Sequence, residues 1–302
     1  MTVEHTLTAE PQAQACFAVL VAHDGSSVSD ERILSSAVSR SLGPGAMEYY
    51  FEDLMTTPAE LAAALEKACG ENFDICVTRP DHREKRLLIC DMDSTVIGQE
   101  CIDELADFAG LRDQISSITQ RAMRGELDFE EALTERVGLL KGLSGDALQT
   151  CFDERITLNP GIRTLTATMR QRGGTCLLVS GGFTFFTSRV AEAAGFSENY
   201  ANTLLFDSSV LSGEVGRPIL GRQAKLDRLN HAAENLGLTP SDALAMGDGA
   251  NDLSMIEAAG LGVGYHPHPV LAEAADAVIR QPSLATALYF MGIEKSQWVE
   301  ID

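Results

Sequence analysis

Two carboxylates one residue apart, Asp91 and Asp93, close a short apolar run, Leu87-Leu88-Ile89-Cys90, and the hydroxyls of Ser94 and Thr95 follow at once. The run reads as a buried strand. Side chains two apart on a strand point to the same side, so the pair would meet at one edge at a cost in mutual repulsion. A hard divalent cation such as Mg²⁺ offsets that repulsion. Taken alone, such a pair is equally at home capping or solvating a turn. A second piece, Ser180-Gly181-Gly182-Phe183, follows the apolar run 175–179 and opens into a helical segment. A hydroxyl and close-packed backbone N–H groups at a strand end suit a phosphate, although the same string is also an ordinary turn. A third piece, Gly247-Asp248-Gly249-Ala250-Asn251-Asp252, follows a strand-like run at 242–246. Its two carboxylates and one amide form a second acidic site, with glycines that let backbone approach a ligand. Lys225 opens a helical segment after Gly221 and reads by itself as an exposed lysine.

The elements around these pieces repeat as strand and helix, which predicts an α/β fold with a parallel sheet and the chemistry at the carboxyl ends of its strands. The first acidic turn is not followed by the next strand. Helical segments near 100–109, 111–124, 128–141 and 144–154 intervene, with turns at Gly110, Gly125 and Gly142, and they read as a lid that excludes water and adds specificity residues. Within them Glu100 and Arg136 are by default solvated helix charges, and Met123, Phe129 and Leu133 default to core. The expected division is a small α+β module at 1–80, a core at 84–97 and 156–302, and a helical cap at 98–155. In the module, strands at 15–22, 47–51 and 73–78 alternate with helices at 29–41 and 57–69, after a tail at 1–14. That order is close to a ferredoxin-like sandwich and resembles ACT-type regulatory modules, with one strand missing. Docking or homodimerisation is its expected role, and amino-acid sensing the alternative. At 199–211 the chain is strand-like, with a hairpin turn expected at Ser212-Gly213. His266-Pro267-His268 reads as a loop, because two histidines without further ligands fall short of a zinc site.

A formal net charge of −21 over 302 residues argues against nucleic acid as the main partner and requires a local cationic pocket for any anionic substrate. The seven cysteines form no Cys-x-x-Cys and lie mostly in apolar stretches, which favours reduced thiols and a cytoplasmic protein. Glu4 and Glu10 in place of a basic stretch argue against a signal peptide. No apolar run approaches the roughly 18 residues of a membrane span.

Taken in order, Asp91-Met92-Asp93-Ser94-Thr95, Ser180, Lys225 and Gly247-Asp248-Gly249-Ala250-Asn251-Asp252 resemble the haloacid-dehalogenase superfamily of aspartate-nucleophile phosphatases over about residues 84–290. The match extends to Glu100, Phe129, Arg136 and Ser180-Gly181-Gly182-Phe183, which look like the substrate residues of its phosphoserine-hydrolysing branch. The resemblance implies a Rossmann-like core with an inserted helical cap, and Mg²⁺ held by Asp91, the Asp93 carbonyl and Asp248, with Asp252 orienting the site from behind. It implies Asp91 as nucleophile and Asp93 as general acid and base. Ser180, the Gly181 N–H, Lys225 and Asn251 would sit on the phosphoryl group, with Phe129 and Met123 lining the pocket. For phosphoserine, Arg136 suits the carboxylate as a bidentate fork and Glu100 the ammonium. The alternatives are a phosphatase or phosphotransferase acting on another small monoester, such as phosphothreonine or phosphocholine, and a non-catalytic amino-acid sensor.

Overall fold

The computed structural model describes residues 14–23, 34–123 and 126–301. The expected tail at 1–14 and the start of the expected helix at 29–41 fall almost wholly outside these residues, as does the Met123 side chain. One ten-stranded sheet runs through the chain in the order β2-β3-β1-β4-β12-β11-β10-β5-β6-β7. Its parallel part consists of β5 (Leu87–Cys90), β6 (Thr175–Phe183), β7 (Glu198–Asn202), β10 (Ala243–Gly247), β11 (Leu261–Tyr265) and β12 (Ala277–Ile279). Period-two alternation divides its core. Leu88 and Cys90 face one layer with Ile162, Leu165 and Met169 of α6 (Ile162–Gln171) and Val190 of α7 (Thr184–Ala194). Leu87 and Ile89 face the other layer with Leu229 and Ala233 of α8 (Arg222–Asn235). A sheet covered on both faces explains why these strands are continuous apolar runs.

The N-terminal part completes the ferredoxin-like order. β1 (Gln14–Ala22), β2 (Val38–Gly43), β3 (Ala46–Leu54) and β4 (Phe73–Thr78) are antiparallel, and α1 (Pro58–Cys69) covers Cys16, Ala18 and Leu20 with Leu61 and Leu65. A Thr57–Glu60 capping box and Pro58 in the first turn start α1. The strand that the sequence lacked is β2. The spacing of Val38 and Leu42 fits a helix, yet Gly43-Pro44-Gly45 turns a hairpin instead of ending one, and Val38–Gly43 pairs with β3. The second hairpin, β8 (Leu204–Asp207) with β9 (Val210–Val215), also differs from expectation. It turns at Ser208, whose φ is 60°, and not at Ser212-Gly213.

The antiparallel strands join the parallel ones where Cys76 of β4 pairs with Ala277 of β12. Two buried carboxylates hold this seam. Asp74 accepts from His23 Nε2 at 2.8 Å and from the Arg280 N–H at 2.9 Å. Glu48, 2% exposed, accepts from Arg40 Nε at 2.6 Å and pairs with Arg83. Substituting Glu48→Ala leaves the mostly buried Arg83 without a counterion and is expected to cost about 3 kcal/mol. Thermal unfolding checks this, with kcat expected within twofold of the parent.

Between β5 and α6 lie α2 (Cys101–Phe108), α3 (Arg112–Met123), α4 (Phe129–Leu139) and α5 (Gly145–Arg155). The chain leaves and re-enters the sheet side by side. Ile97 bridges Leu158, and Gln99 and Thr157 exchange hydrogen bonds at 2.8 and 2.9 Å. At its other end this insertion is tied to the β8–β9 hairpin, where the Gly142 N–H donates to the Leu211 carbonyl and the Leu211 N–H to the Leu143 carbonyl, both at 2.8 Å.

Candidate active site

A pocket of about 610 Å³ opens at the carboxyl ends of β5, β6 and β10, between them and the inserted helices. β5 delivers Asp91, 4% exposed. Its Oδ1 accepts from the Met92 N–H at 2.8 Å and from Lys225 Nζ at 2.7 Å, and its Oδ2 accepts from Asn251 Nδ2 at 3.4 Å. Lys225 is no exposed lysine. It is 3% exposed and also donates to Asp252 Oδ1 at 2.5 Å. Asp252 Oδ2 in turn accepts from the Asp248 and Gly249 N–H groups at 3.2 and 3.1 Å and so shapes the acidic turn. Burial acts against the Lys225 ammonium, but Asp91 and Asp252 outweigh it and hold the group above its ordinary value. Burial pushes the Asp91 carboxyl up, Lys225 opposes this, and the Asp252 charge adds to it.

Past the strand, the chain turns tightly through Met92–Val96, with Ser94 at φ 54°. This turn aims Asp93 back at the pocket. Its Oδ1 accepts from the Cys101 N–H at 2.8 Å and its Oδ2 from the Ser180 hydroxyl at 3.2 Å. Burial raises the Asp93 pKa above the usual carboxylate range, against those two bonds, so it holds a proton more readily than an exposed aspartate. Ser180, Gly181 and Gly182 form an irregularity in the β6–β7 ladder, between the pairs Val179–Tyr200 and Phe183–Asn202. There the Gly182 N–H donates to Ser180 Oγ at 2.8 Å. A Cβ on Gly182 would stand 3.0 Å from both Asp93 Oδ2 and Ser180 Oγ, so a larger residue would press these two side chains apart by a few tenths of an ångström.

Asp91, Asp248 and Asp252 each bring an oxygen within 4.8 Å of the others. Lys225 supplies a single positive charge against these three, and burial with the Asp252 charge pushes Asp248 up to about 6. Hard oxygen donors with surplus negative charge fit a divalent cation such as Mg²⁺. Asp252 is the most fully held of the three, with Oδ1 on Lys225 and Oδ2 on two N–H groups, whereas Asp91 Oδ2 carries only the 3.4 Å contact from Asn251, so Asp91 and Asp248 are the side chains better placed to ligate. His268 lines the pocket and its N–H donates to the Asp248 carbonyl at 2.8 Å, in keeping with a loop residue.

The inserted helices contribute the far wall. Glu100, at the start of α2, accepts from the Ser94 hydroxyl at 2.7 Å, a tether the sequence reading missed although Ser94 belongs to the motif. Glu100 is exposed as a residue, while its carboxyl is partly covered where it meets Ser94 and the pocket. That burial, with the Asp93 charge, pushes its carboxyl up to about 7. Arg136, on α4, lines the pocket. Its Nε donates to the Ala132 carbonyl at 3.2 Å, and among the described residues no carboxylate lies within ion-pair distance. An Asp128–Glu131 capping box starts α4 and fixes Phe129, 40% exposed, over Gly181 of the β6–β7 irregularity. A Cβ on Gly181 would lie 3.3 Å from the Phe129 ring, and one on Gly221 3.6 Å from it. Leu133 sits in the core as expected, 2% exposed, and also lines the pocket.

Three comparisons bear on this arrangement. A family model described as haloacid dehalogenase-like hydrolase matches residues 88–257. Phosphoserine phosphatase of Streptomyces coelicolor is 38% identical over 294 residues, 97% of this chain and 70% of the relative. Among solved structures, a HAD-family hydrolase from Salmonella enterica serovar Typhi superposes with a TM-score of 0.81 at 29% identity, over 92% of this chain and 98% of that one. A phosphoserine phosphatase captured as a phospho-aspartyl intermediate analogue superposes at 0.63 with 36% identity, over 68% of this chain and 99% of that one. The chain therefore belongs to the haloacid dehalogenase-like hydrolases and, within them, to the phosphoserine phosphatase family.

Proposed function

We propose that this enzyme hydrolyses O-phospho-L-serine to serine and inorganic phosphate through an aspartyl phosphate on Asp91, as the last step of serine biosynthesis. The observation that carries the reading is the division of charge in the pocket. Asp91, Asp93 and Ser180 line it from the sheet side, while Glu100 and Arg136, of opposite sign, line it from the inserted helices. A phosphate, an ammonium and a carboxylate on one small molecule meet all of these. Phosphocholine lacks the carboxylate that Arg136 awaits. In this reading residues 84–97 and 156–302 carry the chemistry, 98–155 select the substrate, and 1–80 brace the sheet. Seven cysteines, six of them buried, support a reducing, cytoplasmic setting.

We assign Mg²⁺ as the cofactor, held by Asp91, the Asp93 main-chain carbonyl and Asp248. Bound there, it would draw negative charge from the phosphoryl oxygens. The chain's own residues do the rest. Lys225 and the Met92 N–H hold Asp91 Oδ1, which orients the carboxylate for in-line attack. Ser180 turns its hydroxyl from Asp93 to a phosphoryl oxygen, and this frees Asp93 to give its proton to the departing serine oxygen. Asp93 then takes a proton from the water that hydrolyses the aspartyl phosphate. Phe129 closes the pocket against bulk water.

Two results test the reading. Arg136→Ala should lower kcat/KM for phosphoserine by on the order of 100-fold. For phosphoethanolamine, which lacks the carboxylate, the change should stay within threefold, and equal losses on the two would remove the role of Arg136. The Glu100 carboxyl lies above its exposed value, so the free enzyme protonates it as pH falls through about 7 and loses its charge for the substrate ammonium. An acid limb in kcat/KM near pH 7 is expected, and Glu100→Gln should flatten it at a low level. A limb unchanged in that variant would place the titration elsewhere.

A further inference from the structure

Asn202, at the end of β7, is 1% exposed, and both polar atoms of its amide are bonded. Nδ2 donates to the Gly181 carbonyl at 2.9 Å and to the Leu220 carbonyl at 3.2 Å, and Oδ1 accepts from the Leu220 N–H at 2.7 Å. These partners sit on the two loops that carry the phosphate-facing groups. The Gly181–Gly182 peptide is held at both ends, its carbonyl by Asn202 and its N–H by Ser180 Oγ at 2.8 Å. Ser180 then points its hydroxyl to Asp93. On the other side, Leu220 directly precedes Gly221, where α8 begins, and the first turn of α8 brings Lys225 to Asp91. Phe129 lies across Gly181 and Gly221, one glycine from each clamped loop.

We propose that Asn202 is a positioning residue for phosphoryl transfer: its amide fixes the Gly181–Gly182 peptide and the main chain of Leu220, and so sets the Ser180 hydroxyl and the start of the Lys225 helix. It touches no reacting group. Without the amide, a peptide flanked by two glycines has little to keep it from rotating. Rotation takes the N–H from Ser180 Oγ and swings a carbonyl dipole toward the phosphoryl oxygens, where a donor is needed.

Two variants test this. Asn202→Asp keeps the shape but sets a carboxylate against two carbonyls, and Asn202→Ser keeps one small donor. In both, kcat should fall on the order of 10- to 100-fold, as for a misplaced catalytic group. Inhibition by inorganic phosphate should weaken at least tenfold, while inhibition by L-serine, which rests on Glu100 and Arg136, stays within twofold. In the Ser180→Ala background, Asn202→Ser should cost clearly less than it does in the parent, the remainder being the arm through Leu220 and Lys225. Phosphate and serine weakening together, full additivity with Ser180→Ala, or loss of the folded state in both variants would each assign Asn202 a merely structural role. The serine arm alone rests on the proposed substrate. A parent enzyme indifferent to serine would overturn that reading and leave the phosphate arm to decide on Asn202.

Discussion

Asp91→Asn is expected to remove turnover by on the order of 10⁴-fold or more while the fold persists. The amide keeps the shape of the carboxylate, and its oxygen still accepts from the Met92 N–H that now bonds Oδ1 at 2.8 Å. It carries no charge to attack phosphorus and presents a poor ligand to a cation, so nucleophile and metal site weaken together. Rapid acid quench with labelled phosphoserine separates the two losses. The parent should accumulate hydroxylamine-labile label on protein, and the variant none even at saturating Mg²⁺. Phosphate release within tenfold of the parent would show that another group attacks. Asp93→Asn offers the contrast: with the nucleophile intact and the proton donor gone, label should still reach the protein with a good leaving group, and its hydrolysis should slow.

The second large effect concerns a charge that the sequence presents as ordinary. Lys225→Met leaves Asp91 and Asp252 in the interior without their shared ammonium, which stands 2.7 and 2.5 Å from them. An uncompensated buried carboxylate costs about 3–5 kcal/mol, a fall in melting temperature of roughly 10 °C at this size. The pH dependence has a definite sign. With Lys225 gone, burial leaves the folded-state pKa of Asp91 above its unfolded value, so the folded state binds the proton more tightly. The variant should be most stable in acid and lose stability as pH rises through that pKa. In the parent, the raised Lys225 pKa contributes stability throughout the range below the unfolded lysine value of about 10.4. Melting curves at pH 5 and pH 8 check this, and a smaller deficit at pH 8 than at pH 5 would refute the assignment of charge.

Much of the site was legible because its pieces break local expectation. Four apolar residues that stop at two carboxylates also suit a solvated turn, but joined in order with Ser180, Lys225 and a glycine turn carrying Asp248, Asn251 and Asp252 they are hard to account for as surface. What was not legible depends on partners far apart in sequence. Nothing local marks Lys225 as buried, since its burial follows from carboxylates on β5 and at the start of α9 (Leu253–Ala258). Asn202 lies between Ala201 and Thr203 and follows no pattern, and its role exists only once two loops close around it. The fold shows the same limit. Strands covered on both faces announced themselves as apolar runs, whereas β2 exposes Val38, Ser39, Arg40 and Ser41 and buries Leu42, a pattern with no strand period to read. β12, three residues long, is defined by its neighbours β11 and β4 rather than by its own composition.

The pairing of β12 with β4 has a consequence for association between chains. Here β4 shields the outer rim of β12, and a hydrogen-bonding row that would invite stray strands is closed from within the same polypeptide. Damage to the first eighty residues would therefore show itself as clumping well before it showed itself as a slower enzyme.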